Sequence, residues 1–238
     1  SKPSIDNEGN VVFNGSGSNQ LGIYTSIGIC CQKIADFNTP VPNGGGLTFN
    51  NFSGGVSNDI DGGRVAFTGK FGGLAVNPDF EGVYSNVGQT SPRDLVEVAV
   101  IDDLEWSDVG DPWVDDDVVA LRGRRLIPDD HSTVLLWNGW DLSHSFVDAD
   151  AGYRLASSGE ASLSGDAVMY RRLSSSSNEL FISTGNVTET VAALNSTPVP
   201  GGGGATFKNF AGFPVVDRNG QDAAFVGYFG SKVGVYKW

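Results

Sequence analysis

The segment from Thr39 to Gly72, TPVPNGGGLTFNNFSGGVSNDIDGGRVAFTGKFG, returns from Thr197 to Gly230 as TPVPGGGGATFKNFAGFPVVDRNGQDAAFVGYFG, at a constant offset of 158 residues (197 − 39) and without a gap. A segment copied in register must fold as the same supersecondary unit each time, so the repeat decides the architecture before any local reading does. The copied positions are mostly glycines, prolines and aromatics. Pro40 and Pro42, like Pro198 and Pro200, fix φ and make extended or turn-forming chain. The glycines that follow, Gly45 and Gly203 among them, permit φ > 0 and close backbone approach. Phe49 and Phe52, matched by Phe207 and Phe210, are apolar anchors. Asp59 with Gly62, and Asp217 with Gly220, have the chemistry of turns. A short apolar run then ends in glycine, Val65 to Gly69 and Ala223 to Gly227, and both copies reach Gly-Val-Tyr at Gly82–Tyr84 and Gly234–Tyr236. The unit reads as turn, strand, turn, strand.

Weaker copies fill the rest. Ile5 to Asn10 is an Asp-Gly turn, with Asp6 in the place of Asp61, and Val11 to Gly15 and Gly22 to Tyr24 are its strands. Degraded copies begin at Val118 and Ala167, and further strands are expected at Lys33–Asp36, Val96–Val100, Ser145–Asp148 and Thr190–Ala193. Strand starts near 11, 65, 118, 167 and 223 give a period of roughly 50 residues, in the range of propeller blades. The expected fold is all-β, with short antiparallel sheets from about five units. It is either propeller-like or a pseudo-two-fold pair of β subdomains, and residues 1–238 form a single repeat domain. The strong units cover 33–84 and 191–236, and the motif decays between 90 and 159. No window sustains a helical apolar stripe, and the best candidate, Leu95 to Trp106, has the β-branched content of a strand. No apolar run reaches the length of a membrane span.

The net charge of −13 argues against sequence-independent nucleic-acid binding, which needs Lys and Arg on phosphates, and against an anionic membrane surface. Eight acids lie between Asp102 and Asp117, a cation site or docking face on one reading and a solvated loop on the other. They lack the spacing of a calcium loop. Cys30 and Cys31 are adjacent, a strained geometry for a disulfide. They read as one buried and one exposed thiol on a strand. Asn14, Asn51, Asn186 and Asn195 fit the N-glycosylation pattern, as expected by chance in so Asn- and Ser-rich a chain. The chain begins at Ser1 without an initiator Met and reads as a trimmed form, so any targeting segment is out of view.

Catalytic signals are sparse. His131 and His144 have no partner histidine at metal-ligand spacing, and no nucleophile elbow occurs. The glycine runs lack the Lys-Ser/Thr of a phosphate loop. Asp115, Asp116 and Asp117 break the repeat, as the acids of a glycosidase would. No catalytic residue, metal or cofactor is assigned. Trp106, Trp113, Trp137, Trp140 and Trp238 point to binding more than chemistry. Of these, Trp113, Trp137, Trp140 and Trp238 join Phe71 and Phe229 as the candidate assembly or binding surface.

The string from Lys33 to Gly46, then Phe49 and Val65 to Phe67, resembles a tandem-repeat family of bacterial envelope proteins whose units read roughly IADxxTPxPGGxGxFxxF…VAFxG…GIY. That resemblance implies a β-propeller-like fold and no particular activity; the chain departs from it between Thr90 and Gly159. More loosely, the paired segments and acidic, Ser/Gly-rich composition resemble the pyrenoid shell proteins of diatoms. That implies a self-assembling sheet around the Rubisco compartment in the chloroplast stroma; the bacterial envelope or secretion is the alternative location. Three functions follow: a non-enzymatic structural protein that assembles with copies of itself, a lectin-like module binding a glycan or a basic protein, and a glycan-active enzyme.

Overall fold

The computed structural model describes residues 3–17, 20–28, 31–52, 58–72, 79–91, 94–101, 106–125, 131–139, 142–147, 154–155, 161–164, 167–173, 178–184, 187–217 and 221–238. Their regular structure is entirely β-strand, in five antiparallel sheets. The chain divides into two units, Ser1–His144 and Ser145–Trp238.

In the first unit, sheet one has the order β1 (Ser4–Ile5), β2 (Val11–Gly17), β3 (Gln20–Thr25), β4 (Gln32–Asp36). Sheet two has β5 (Phe49–Asn51) and β6 (Asn58–Asp61) on successive halves of β7 (Arg64–Gly72), then β8 (Asp79–Ser85) and β9 (Val96–Val100). Sheet three is β10 (Trp106–Asp115), β11 (Val118–Arg125), β12 (His131–Trp137) and β13 (Leu142–Val147). In the second unit, sheet four sets β14 (Arg154–Leu155) and β15 (Ala161–Ser164) against β16 (Ala167–Leu173), followed by β17 (Asn178–Thr184) and β18 (Val187–Ala193). Sheet five is β19 (Asn209–Val216), β20 (Ala223–Phe229) and β21 (Lys232–Lys237). The starts expected from the repeat fall within one residue of the starts of β2, β7, β11, β16 and β20. The Leu95–Trp106 stretch contains strand β9, as its β-branched residues required.

The copied loop folds alike in both places. Val41 N–H donates to Leu47 O at 2.9 Å and Val199 N–H to Ala205 O at 2.8 Å. Isolated bridges join Pro40 to Thr48 and Pro198 to Thr206. Gly45 and Gly203 have φ of 62° and 63°, a region that costs a residue with a Cβ about 1–2 kcal/mol. Gly44 and Gly202 are needed for proximity: a Cβ there would sit 2.7 and 2.8 Å from Cβ of Val41 and Val199.

The loop ends by inserting a phenylalanine over the following sheet. Phe49 meets Tyr84 edge-on with centroids 4.8 Å apart at 88°, and Phe207 meets Tyr236 at 4.8 Å and 86°. Phe67 and Tyr84, opposite each other on β7 and β8, lie 5.9 Å apart at 33°; Phe225 and Tyr236 lie 5.8 Å apart at 29°. Room for each inserted ring comes from one glycine of an opposed pair, Gly69 and Gly227, while their partners Gly82 and Gly234 leave space for the Tyr84 and Tyr236 rings. A Cβ on Gly69 would lie 2.7 Å from Phe49 Cε1, and one on Gly227 would lie 2.5 Å from Phe207 Cε1. Each buried ring contributes about 1.5–3 kcal/mol by leaving water, and each edge-to-face pair about 0.5–1.5 kcal/mol more. These clusters anchor one core in each unit. A further core in the first unit is built on Val119, Leu121, Leu135 and Trp137.

Candidate binding and assembly surfaces

Five acids of the first unit, Asp6, Asp61, Asp115, Asp116 and Asp117, lie where hairpins of successive sheets meet. β6 and β7 turn at Gly62 and Gly63, whose φ of 52° and 77° match the strand-compatible type I′ turn. β10 and β11 turn at Asp116 and Asp117, with Asp115 paired to Val118 as Asp61 is to Arg64. Asp115 therefore occupies the place of Asp61, and the three acids that break the repeat in sequence follow it in register. Asp61 Oδ2 accepts the Asp116 N–H at 2.8 Å, and Asp6 Oδ2 accepts the Gly63 N–H at 3.4 Å. One hairpin's carboxylate thus holds the next hairpin's backbone. Arg64 adds an ion pair to Asp117 at 3.1 Å.

Asp59 corrects the turn reading: it lies on β6. Its side chain is half-buried, accepting hydrogen bonds from Ser4 Oγ at 2.5 Å and from the Val114 N–H at 2.9 Å. Burial raises its carboxyl above the ordinary value, and these hydrogen bonds only partly offset that. Asp6 and Asp217 keep the turn role. Asp6 accepts the Glu8 and Asn10 N–H groups, and Asp217 those of Gln221 and Asp222. Among the described residues one acidic group has the proximity to hold a cation: Asp61, Asp115 and Asp116, with carboxylate oxygens all within 4.8 Å of one another. Such hard oxygen donors suit Ca²⁺ or Mg²⁺. Asp102, Asp103, Glu105 and the side chains of Asp108, Asp111, His131 and His144 lie outside the described residues.

The candidate rings separate into buried and surface groups. Phe71 and Trp137, expected at the surface, are buried core residues, because register places Phe71 against Phe80 and Trp137 against Val119. Trp113 and Phe229 are half-buried, and Trp238 is 38 % exposed. Trp140 lies outside the described residues. Pro40, Pro198, Pro200, Gly45 and Gly203 are exposed, and Pro42 is half-buried, as loop-shaping residues. Cys31 is exposed in a turn at φ 68°, not on a strand, and Cys30 lies outside the described residues. Asn14, a nominal glycosylation site, donates its Nδ2 to Phe52 O at 2.9 Å and accepts from Asn58 at 2.7 Å, so it ties sheet one to sheet two. That role carries no sequence signal beyond a polar residue among apolar ones.

The surface feature that sequence reasoning missed is β21. In sheets one, two and four the equivalent strands β3, β8 and β17 are covered by a fourth strand with buried pairs, Ile34 and Ala35, Val98 and Ala99, Val191 and Ala192. β21 is the edge of its three-stranded sheet, with Val233 59 % and Val235 77 % exposed.

No family model and no curated protein matches the chain. Solved structures do. The β-propeller domain of the Trilobed protease from Pyrococcus furiosus, which has an open velcro topology, is 11 % identical with a TM-score of 0.54, over 100 % of this chain and 66 % of that one. A prolyl endopeptidase structure is 12 % identical with a TM-score of 0.55, over 99 % of this chain and 34 % of that one. The chain thus spans less than two thirds of the first and about a third of the second. At such identity the likeness shows the fold alone, and that fold is β-propeller-like.

Proposed function

We propose that this chain is a non-enzymatic structural protein that assembles with copies of itself. The observation that carries the reading is the open edge of β21. Its unpaired backbone groups and exposed Val233 and Val235 offer a template for an added strand. Lys232 and Lys237 lie at the two ends of that strand, Lys237 in an ion pair with Asp222 at 2.8 Å. The candidate acids support structural work, since Asp59 and Asp61 hold backbone N–H groups of the next sheet. The lectin-like reading loses Trp137 to the core. The finer expectation, a shell around a Rubisco compartment, rests on the sequence resemblance. Light scattering across protein concentration and salt tests the assembly. Screening over about 10 Å at 0.1 M salt relieves the repulsion between copies, so particles should grow with salt, and replacing both Val233 and Val235 by Lys should disperse them. A chain that stays monomeric at high concentration under every salt condition refutes the proposal.

A further inference from the structure

Alternation along a strand gives each sheet two faces. The ring face carries Phe67 and Tyr84 in sheet two, and Phe225 and Tyr236 in sheet five. The back face carries Ala66, Thr68 and Val83 in sheet two, and Ala224, Val226 and Val235 in sheet five. Within each unit the sheets stack by one rule, a back face onto the next ring face. Val12, Ile23 and Ala35 of sheet one share a core with Phe67 and Tyr84. Ala66, Val83 and Ala99 of sheet two share one with Leu121 and Leu135 of sheet three. Met169, Leu180 and Ala192 of sheet four share one with Phe207 and Phe225 of sheet five.

The back face of sheet five is open. Val235 is 77 % exposed where Val83 is fully buried, and Val215, Tyr228 and Val233 are exposed on the same face. This open face is more apolar than its covered counterpart. At the 158-residue offset Thr68 and Lys70 become Val226 and Tyr228, and Glu81, just before Gly-Val-Tyr, becomes Val233. In sheet two Lys70 and Glu81 are opposed and form an ion pair at 2.8 Å. In sheet five Tyr228 and Val233 are opposed as an exposed apolar pair. A contiguous exposed apolar face marks an interaction surface. The ring face of sheet one is its complement. Phe13 and Tyr24 are stacked 6.0 Å apart and half-buried, whereas Phe67 and Tyr84 are fully buried. Tyr24 lies over Gly15, so this face is already paved with its own rings. The deeper burial of Phe67 and Tyr84 comes from Phe49 and from the sheet packed in front of them.

We infer that the back face of sheet five binds the ring face of sheet one of a second copy, repeating between molecules the junction found three times within the units. The inference rests on the self-assembly reading and names the surfaces that meet. The contact is heterologous, so every added copy presents the same open back face and growth continues. Two back faces meeting about a two-fold axis would stop at a dimer.

The test gives sheet five the residues that sheet two holds, Val226→Thr with Tyr228→Lys. Both lie on β20, which is paired on its two sides, so the β21 edge is unchanged. With circular dichroism retained, the concentration at half-assembly in light scattering should rise at least about tenfold, the equivalent of about 1.4 kcal/mol of lost apolar burial. In a second arm, a Val235→Cys chain is treated with a short bis-maleimide after mixing isotope-labelled and unlabelled protein. Peptides joining position 235 to the peptide that holds the exposed Cys31, one labelled and one unlabelled, are expected. If the β20 variant misfolds, this cross-link decides alone. Assembly unchanged by the β20 variant, links only between two 235 positions, links only within one chain, or no links would each overturn the inference. If the chain still assembles in those cases, the self-assembly reading stands without it; a chain that stays monomeric throughout removes both.

Discussion

The inserted phenylalanine and its glycine should be energetically coupled, and coupling of a predicted sign separates this arrangement from ordinary core packing. Phe49 is 1 % exposed and touches the rings of Phe52, Phe67 and Tyr84. Phe49→Ala should cost about 3–5 kcal/mol, the loss of a buried ring plus the cavity left behind. Gly69→Ala alone puts a methyl group 2.7 Å from Phe49 Cε1, and the ring cannot retreat because Tyr84 stands edge-on behind it. That overpacking should cost about 1–3 kcal/mol. In the Phe49→Ala background the obstacle is gone. Alanine is then the better strand residue by about 0.5–1 kcal/mol, so Gly69→Ala should change sign and stabilise.

The cycle is read by urea unfolding of the intact chain, with hydrogen exchange at β7 and β8 reporting locally, since two units need not unfold together. The interaction energy should be about 1.5–4 kcal/mol, the overpacking relieved plus the gain from alanine. Phe207 with Gly227 should give the same result in the second unit, where the corresponding distance is 2.5 Å. The mixed pair of Phe49→Ala with Gly227→Ala shares no contact and should be additive within about 0.5 kcal/mol. Additivity of Phe49 with Gly69, or equal coupling in the mixed pair, would refute the reasoning that the glycine exists to admit the ring.

Two further outcomes follow from groups whose environments are visible. The Tyr84 hydroxyl is buried without a hydrogen-bond partner, and burial foremost, with Glu97 second, raises its pKa, so Tyr84→Phe should raise stability by about 1 kcal/mol in urea unfolding. Acid should act in two opposed steps. Burial raises the carboxyls of Asp59 and Glu97, so the folded state takes up protons first and stability should rise as pH falls from about 7 towards about 4. At Asp36 burial works upward, but hydrogen bonds from Lys33, Thr39 and Asn38 outweigh it; at Asp6 those from Asn10, Gly63 and Glu8 do the same. Both carboxyls therefore lie below the ordinary 3.8, and their stabilisation is lost as pH falls through those depressed values. The urea midpoint should peak on the acid side of neutrality. Asp59→Asn should flatten the upper limb and Asp36→Asn the lower; a monotonic fall from pH 7 would contradict this assignment.

The features legible in the sequence were those in which backbone geometry dictates residue type. A φ near 62° at Gly45, recurring as 63° at Gly203, tolerates few substitutes, so the loop kept its spelling across 158 residues and announced itself. The opposed glycines and the Phe-Tyr pair were likewise visible as VAFxG and GVY, and they placed the central strands β7, β8, β20 and β21, while the period near 50 placed β11 and β16. Which rings would be buried was harder. Phe71 and Trp137 look like loop or surface aromatics in a chain rich in Gly and Asp, and only strand register turns them inward.

Contacts between sheets left the weakest trace, because their partners are set by distance in the fold and their chemistry has many equivalents. Ser4 to Asp59, Asp59 to Val114 and Asp61 to Asp116 each span 55 residues, one repeat apart. In each, a short polar side chain meets a group that any neighbouring sheet could offer. A backbone N–H is the donor in two of the three, and it has no side-chain identity to copy. An acceptor at Asp59 can therefore serve while its sequence neighbours drift. This is why Asp115 could look like an intruder in the repeat while standing at the place of Asp61. The decay between 90 and 159 follows from the same asymmetry. In sheet three, which has no inserted phenylalanine, Leu121 and Leu135 replace the Phe-Tyr pair, and Thr133 stands where one of the glycines was. The motif disappears there while the strand order persists. Sheet one keeps its glycines for a different neighbour, since a Cβ on Gly15 would lie 2.8 Å from Tyr24 Cδ2 and one on Gly22 would lie 2.5 Å from Ala35 O.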